Sequence, residues 1–153
     1  MNENERKFWN NFVESKPDFS PKFGSAWSFG SDKCMANELA KLVLEGKKTA
    51  TASAKIEYDL ENEPLPVSNQ YFDILLNGAG IPVAILQTTN VYVMSFNQIT
   101  PEHAYKEGEG DRTLDYWQKV HRKFWSELFE EKKIEIDIET MDVVCEEFEV
   151  VYQ

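Results

Sequence analysis

Two extended segments on either side of a glycine turn narrow the choice of fold more than any other part of this chain. Tyr71-Phe-Asp-Ile-Leu-Leu76 reads as a strand, and Ile81 to Phe96, rich in Val, Ile and Thr, reads as one long or two short strands. Asn77-Gly-Ala-Gly80 is the turn between them, which makes a hairpin or meander. Near the end, Ile134, Ile136 and Ile138 alternate with Glu135, Asp137 and Glu139, the pattern of a half-buried strand. Val143 to Tyr152 reads as a last strand. No regular alternation of strand and helix connects these segments, so a Rossmann-type parallel sheet is excluded. The pattern predicts an α+β fold, a small mixed or antiparallel β-barrel decorated by about four helices.

The helices are legible from their faces and caps. Phe8, Trp9, Phe12 and Val13 share one face of a segment from about Asn4 to Ser15, which Pro17 ends. Asp32 is a plausible N-cap for a second helix reaching Glu45, with Met35, Leu39, Leu42 and Val43 as its apolar stripe. Thr100-Pro101 opens a third, short helix. The fourth begins near Thr113 and carries Leu114, Trp117, His121, Phe124, Trp125 and Leu128 at helical spacing. His121 on that apolar face reads as a satisfied core histidine. Glu57 to Pro66 reads as loop, its prolines ruling out a central strand.

Pro17 to Ser31 also reads as loop, yet it carries Phe19, Phe23, Trp27 and Phe29. Four aromatics must lie over something. Either they seal one end of the core, or Trp27 or Phe29 walls a pocket for a flat ligand.

With 153 residues, one domain is expected over 1–153, residues 1–22 forming a helix and aromatic loop packed on it. Acids outnumber bases 27 to 16, a net charge of −11. Broad contact with duplex nucleic acid is therefore excluded, and any nucleic-acid ligand must be met locally. No run approaches the ~20 apolar residues of a membrane span. The acidic N-terminus lacks the apolar core of a signal peptide, so a cytoplasmic location is expected. Cys34 and Cys145 are expected to be free thiols. His103 and His121 have no partner at metal-ligand spacing, so neither a metal nor a cofactor is expected.

Two stretches carry more chemistry than their geometry needs. In Leu42 to Ala52 a helix should end at Gly46, suited to a left-handed position, and a strand should begin near Thr49. Lys47 and Lys48 would cap the helix C-terminus, but two lysines and two threonines exceed that task. Glu107-Gly-Glu-Gly-Asp-Arg112 places acids before a helix, which its dipole favours. Gly108 and Gly110 go beyond that, permitting unusual backbone angles or close ligand approach. The stretch is neither an EF-hand nor a Walker loop.

Gly46-Lys-Lys-Thr-Ala-Thr51, with Trp27-Ser-Phe-Gly30 upstream and Glu107 to Trp117 downstream, resembles the ASCH domain family, a branch of the PUA-like β-barrels. The resemblance runs from about Phe23 to the C-terminus. It implies a cleft beside the barrel for a nucleoside, a nucleotide or short single-stranded RNA. Some small bacterial members look like amidohydrolases that deacetylate N4-acetylcytidine with a lysine, a threonine and a glutamate. Carried over by motif, these are Lys48, Thr51 and Glu107 as catalytic residues. Trp27, Phe29, Thr49, Glu109, Asp111 and Arg112 are the candidate ligand-binding residues.

Amide hydrolysis needs a nucleophile, a proton acceptor and positive charge where the oxyanion develops. If Lys48 and Glu107 touch, Lys48 is expected as the cation and Glu107 as proton acceptor. If Lys48 is buried without a carboxylate, it can itself deprotonate Thr51. As cleft-surface residues, both are expected to tolerate alanine within ~1 kcal/mol of stability. The alternatives are a non-catalytic RNA-binding module or a ribonuclease, and an interaction module using Phe19 to Phe29. Oligomeric state is left open.

Overall fold

The computed structural model describes residues 1–153. Its helices are α1 (Glu3–Glu14), α2 (Lys33–Leu44), α3 (Lys55–Glu61), α4 (Pro101–Glu107) and α5 (Leu114–Glu131). Its strands are β1 (Phe23–Trp27), β2 (Ala50–Ala54), β3 (Phe72–Leu76), β4 (Pro82–Ser95) and β5 (Asp142–Tyr152). They form a single sheet in the order β1-β3-β4-β5-β2, with β1 parallel to β3 and every other pair antiparallel.

The mixed α+β class stands, but the sheet is open rather than a closed barrel. β1 pairs only with β3, and β2 only with β5, so the two outer strands never meet. One physical reason lies at the β2 edge. Phe148 N–H reaches the Thr49 carbonyl, so the next carbonyl, that of Ala50, turns away from β5. There it accepts the Lys48 ammonium at 2.9 Å instead of another strand.

Three local expectations also change. Phe23–Trp27, read as loop, is a strand because β3 supplies a parallel partner. The first part of the expected loop Glu57–Pro66 belongs to a helix that starts before it at Lys55, where a Lys55–Asp59 pair spans one turn and Asn62 closes it in the left-handed conformation. Ile134 to Ile138 forms no strand. The alternation is real, since all three isoleucines pack on the core while Glu135 and Asp137 face out, but no strand lies alongside to make a ladder.

Asp32, Thr100 and Thr113 each cap a helix with a side-chain hydrogen bond. The core divides over the sheet. α5 covers one part with Trp117, Trp125 and Phe129 against Phe96, Val143 and Cys145. α2 covers another with Leu39, Ala40 and Val43 against Leu75, Leu86 and Phe148. α1 seats Trp9 and Phe12 on Phe72, Ile74 and Ile85. No helix is long and apolar enough to cross a membrane.

Candidate functional site

The helix α2 ends at Leu44, and Gly46 just beyond it, in the left-handed region (φ 76°), hands the chain to β2 through Lys47, Lys48 and Thr49. Lys48 is not a surface cap: its side chain is 2% exposed. Its ammonium donates to the Ala50 carbonyl at 2.9 Å, to Glu109 Oε2 at 3.3 Å and to the Glu107 carbonyl at 3.4 Å. Glu107 Oε1 lies 3.7 Å away, and the Phe29 ring centroid lies 5.0 Å away.

Glu107 is the last residue of α4, one turn beyond His103, so the two side chains share a helix face. His103 Nε2 is 2.7 Å from Glu107 Oε2, and the Trp117 indole N–H donates to the same oxygen. His121 Nε2 stands 3.7 Å from Oε1. Burial alone would push this carboxyl up. The hydrogen bond from His103 and the charge of Lys48 outweigh it and hold the group down at about 2. Glu107 is therefore an anion at neutral pH and accepts the His103 Nε2 proton. That leaves His103 Nδ1 to accept from the Tyr92 hydroxyl at 2.8 Å. His121, stacked on Trp117 with centroids 4.0 Å apart, donates Nδ1–H to the Trp117 carbonyl.

The end of α4 and the Glu107–Arg112 loop that follows it are held against the junction by close main-chain contacts. Thr49 N–H donates to the Lys106 carbonyl at 2.7 Å. Gly108 has φ 76°, and a Cβ there would stand 2.3 Å from the Lys47 carbonyl oxygen. Only glycine allows the two segments to come this close.

A cleft of about 980 Å³ opens beside this cluster. Lys48, Thr51, Glu107, Glu109, Trp27 and Phe29 all line it. Three other candidates do not. Thr49 Oγ1 turns to the Lys106 carbonyl at 3.4 Å. Asp111 accepts from the Thr113 amide and hydroxyl, which lowers its pKa and secures the start of α5. Arg112 lies 3.6 Å over the Tyr105 ring and donates to the Tyr105 and Lys47 carbonyls. These residues assemble the loop rather than face the cleft.

The cleft also holds His121, which the sequence reads as a core histidine, and groups the sequence did not single out. His121 reaches its wall from α5, Tyr58 from α3 and Asp73 from β3. Glu146 lies on β5 with its pKa raised, first by burial and also by Asp73, against a hydrogen bond from Thr88. A signal for Glu146 existed. Glu146 alternates with Val144 and Phe148, both buried, so an acid stands between two apolar residues of one strand face.

The ASCH domain model matches residues 25–152. The crystal structure of an ASCH domain from Lactobacillus crispatus JV V101 is similar to this chain at 33% identity, with a TM-score of 0.90, covering 100% of this chain and 97% of that one. A protein from Enterococcus faecalis V583 is similar at 37% identity, with a TM-score of 0.88 over 99% of this chain and 90% of the other. No curated protein matches. The chain belongs to the ASCH domain family, within the PUA-like folds.

Proposed function

We propose that the cleft binds a nucleoside-like ligand and hydrolyses an exocyclic amide on it, N4-acetylcytidine being the model substrate. The observation that carries this reading is a buried ammonium, Lys48, fixed by an ionised Glu107 at the wall of a cleft that Thr51 and two aromatic rings also line. Trp27 and Phe29 meet edge to face at 4.6 Å and offer ring surface for a base. Thr51 is the attacking hydroxyl or positions the attacking water. Lys48 meets the oxygen that becomes negative. All three of its N–H groups have partners within the protein. Glu109, with a side chain 28% exposed, is the one a ligand oxygen would displace.

Electrostatics favours a nucleoside over RNA. Asp73, Glu107, Glu109, Glu127 and Glu146 line the cleft against Lys48 and Lys123. A phosphodiester would enter a field of its own sign, and the buried cation is already matched by two carboxylates. A non-catalytic RNA-binding module or a ribonuclease would need the opposite balance.

The deciding experiment is release of acetate from N4-acetylcytidine by wild type, Lys48→Met and Thr51→Val. Turnover by wild type alone is expected. No turnover by wild type, together with tight binding of short RNA that weakens with salt, would replace hydrolysis with RNA binding.

A further inference from the structure

Hydrolysis in this cleft leaves one proton without an acceptor. Glu107 does not suit the task. It is 2% exposed, one oxygen is held by His103 and Trp117, and the other faces Lys48 and His121. Its partners stabilise the anion, so a proton from Thr51 would gain little by moving there. Lys48 beside two carboxylates is the cation of the site. Glu109 spends its charge on Lys48.

Glu146 is placed differently. In the antiparallel pairing of β2 with β5, Thr51 and Glu146 are direct partners. Residues directly opposed in a ladder project from the same face, with Cβ atoms roughly 5 Å apart, within reach of a glutamate and a hydroxyl. Both line the cleft. The carboxyl is half-buried and accepts from the Thr88 hydroxyl at 3.3 Å, which steadies it from β4. The titratable groups that face it are Asp73 from β3 and Tyr58 from α3, neither of them cationic. Burial raises its pKa, with Asp73 adding, and a carboxyl so raised is a stronger base than an exposed one.

We infer that Glu146, not Glu107, is the general base that takes the Thr51 proton. This rests on the hydrolase reading above. As Thr51 Oγ1 bonds to the acyl carbon, its proton passes to the Glu146 carboxylate. The acyl C–N bond then breaks, its electron pair stays on nitrogen, and Glu146 returns the proton to the departing amine. Water adds to the acyl-threonine, giving a proton to Glu146. The C–Oγ1 bond breaks and Thr51 takes that proton back, so acetate and the free amine are the products.

The test compares wild type, Glu146→Gln and Glu146→Asp on N4-acetylcytidine across pH. Glu146→Gln should lower kcat by about 10²- to 10⁴-fold, the usual worth of a positioned base. KM should change little, and the acid limb of the kcat profile should disappear. Glu146→Asp should keep that limb at reduced kcat. Should Glu146→Gln not fold, the aspartate variant decides alone, and an unchanged kcat overturns the assignment. So does a Glu146→Gln enzyme with wild-type kcat and acid limb while Thr51→Val is inactive, an outcome that leaves the hydrolase reading standing. A wild type that releases no acetate overturns both.

Discussion

Lys48 and Glu107 stand 59 positions apart in the sequence, and their charged groups lie 3.7 Å apart in the fold. Each side chain is 2% exposed, so neither is the cleft-surface residue that the sequence suggests. Lys48→Met should cost about 3–5 kcal/mol, because it leaves a buried carboxylate without its cation. Combining it with Glu107→Gln should recover part of that loss. Urea unfolding at neutral pH measures both, and a single-mutant loss under about 1 kcal/mol would contradict the burial.

Acid should weaken the fold through Glu107. Its folded pKa is about 2, below the ordinary glutamate value of 4.5, so the unfolded chain binds its proton first. The stabilisation is complete above about pH 4.5 and disappears as pH falls towards 2, roughly 3 kcal/mol in all. In Glu107→Gln the urea midpoint should vary less over that range. A slope equal to wild type would show that Glu107 does not couple to folding.

Glu146 should act in the opposite sense. Its pKa is raised, so the folded state favours the protonated carboxyl, and stability is lost as pH rises and the buried group ionises. Glu146→Gln should therefore be more stable than wild type at pH 8 and about equal near pH 4. Thermal melts at the two pH values check the sign. A residue whose removal raises stability and abolishes turnover is the pattern of a functional group held in an unfavourable setting.

Gly108→Ala should disturb the site without touching the cleft. A left-handed backbone and a 2.3 Å approach to the Lys47 carbonyl oppose any side chain there. About 1–3 kcal/mol of stability should be lost. Cytidine affinity should fall as Lys48 shifts, measured by calorimetry beside the melt.

The two thiols should separate cleanly in a labelling experiment. Cys34 is exposed, whereas Cys145 is buried with its pKa pushed up to about 12 by desolvation and then by Glu107 and Glu147. A thiol reagent should modify one cysteine in the native protein and both in urea. Rapid native labelling of Cys145 would mean that the sheet opens locally.

What was legible in the sequence was what neighbours in sequence decide. Asp32, Thr100 and Thr113 bond to amides three residues on, so the helix starts appear in the residue string itself. Strands depend on a partner elsewhere. Phe23–Trp27 became one because β3 runs alongside, and Ile134 to Ile138 did not because nothing does. Sheet closure is more remote still. In the site, motif matching brought Lys48, Thr51, Glu107, Glu109, Trp27 and Phe29 to one cleft. Arg112 and Asp111 belong to the same motif but serve the loop's own construction, and residue type alone does not separate those duties. Glu146 needed the β2–β5 register.

The contacts that bind the Lys47–Thr49 junction to the end of α4 and the Glu107–Arg112 loop run from main chain to main chain, from Arg112 and Lys48 to carbonyl oxygens, and from Lys48 to the Glu107 and Glu109 carboxylates. None requires a ligand. The entropy of bringing two distant segments together is spent when the chain folds, so an arriving molecule meets a charge already aimed. Binding in this cleft then leaves the backbone where folding put it, and only the Glu109 carboxylate has to give way beside Lys48.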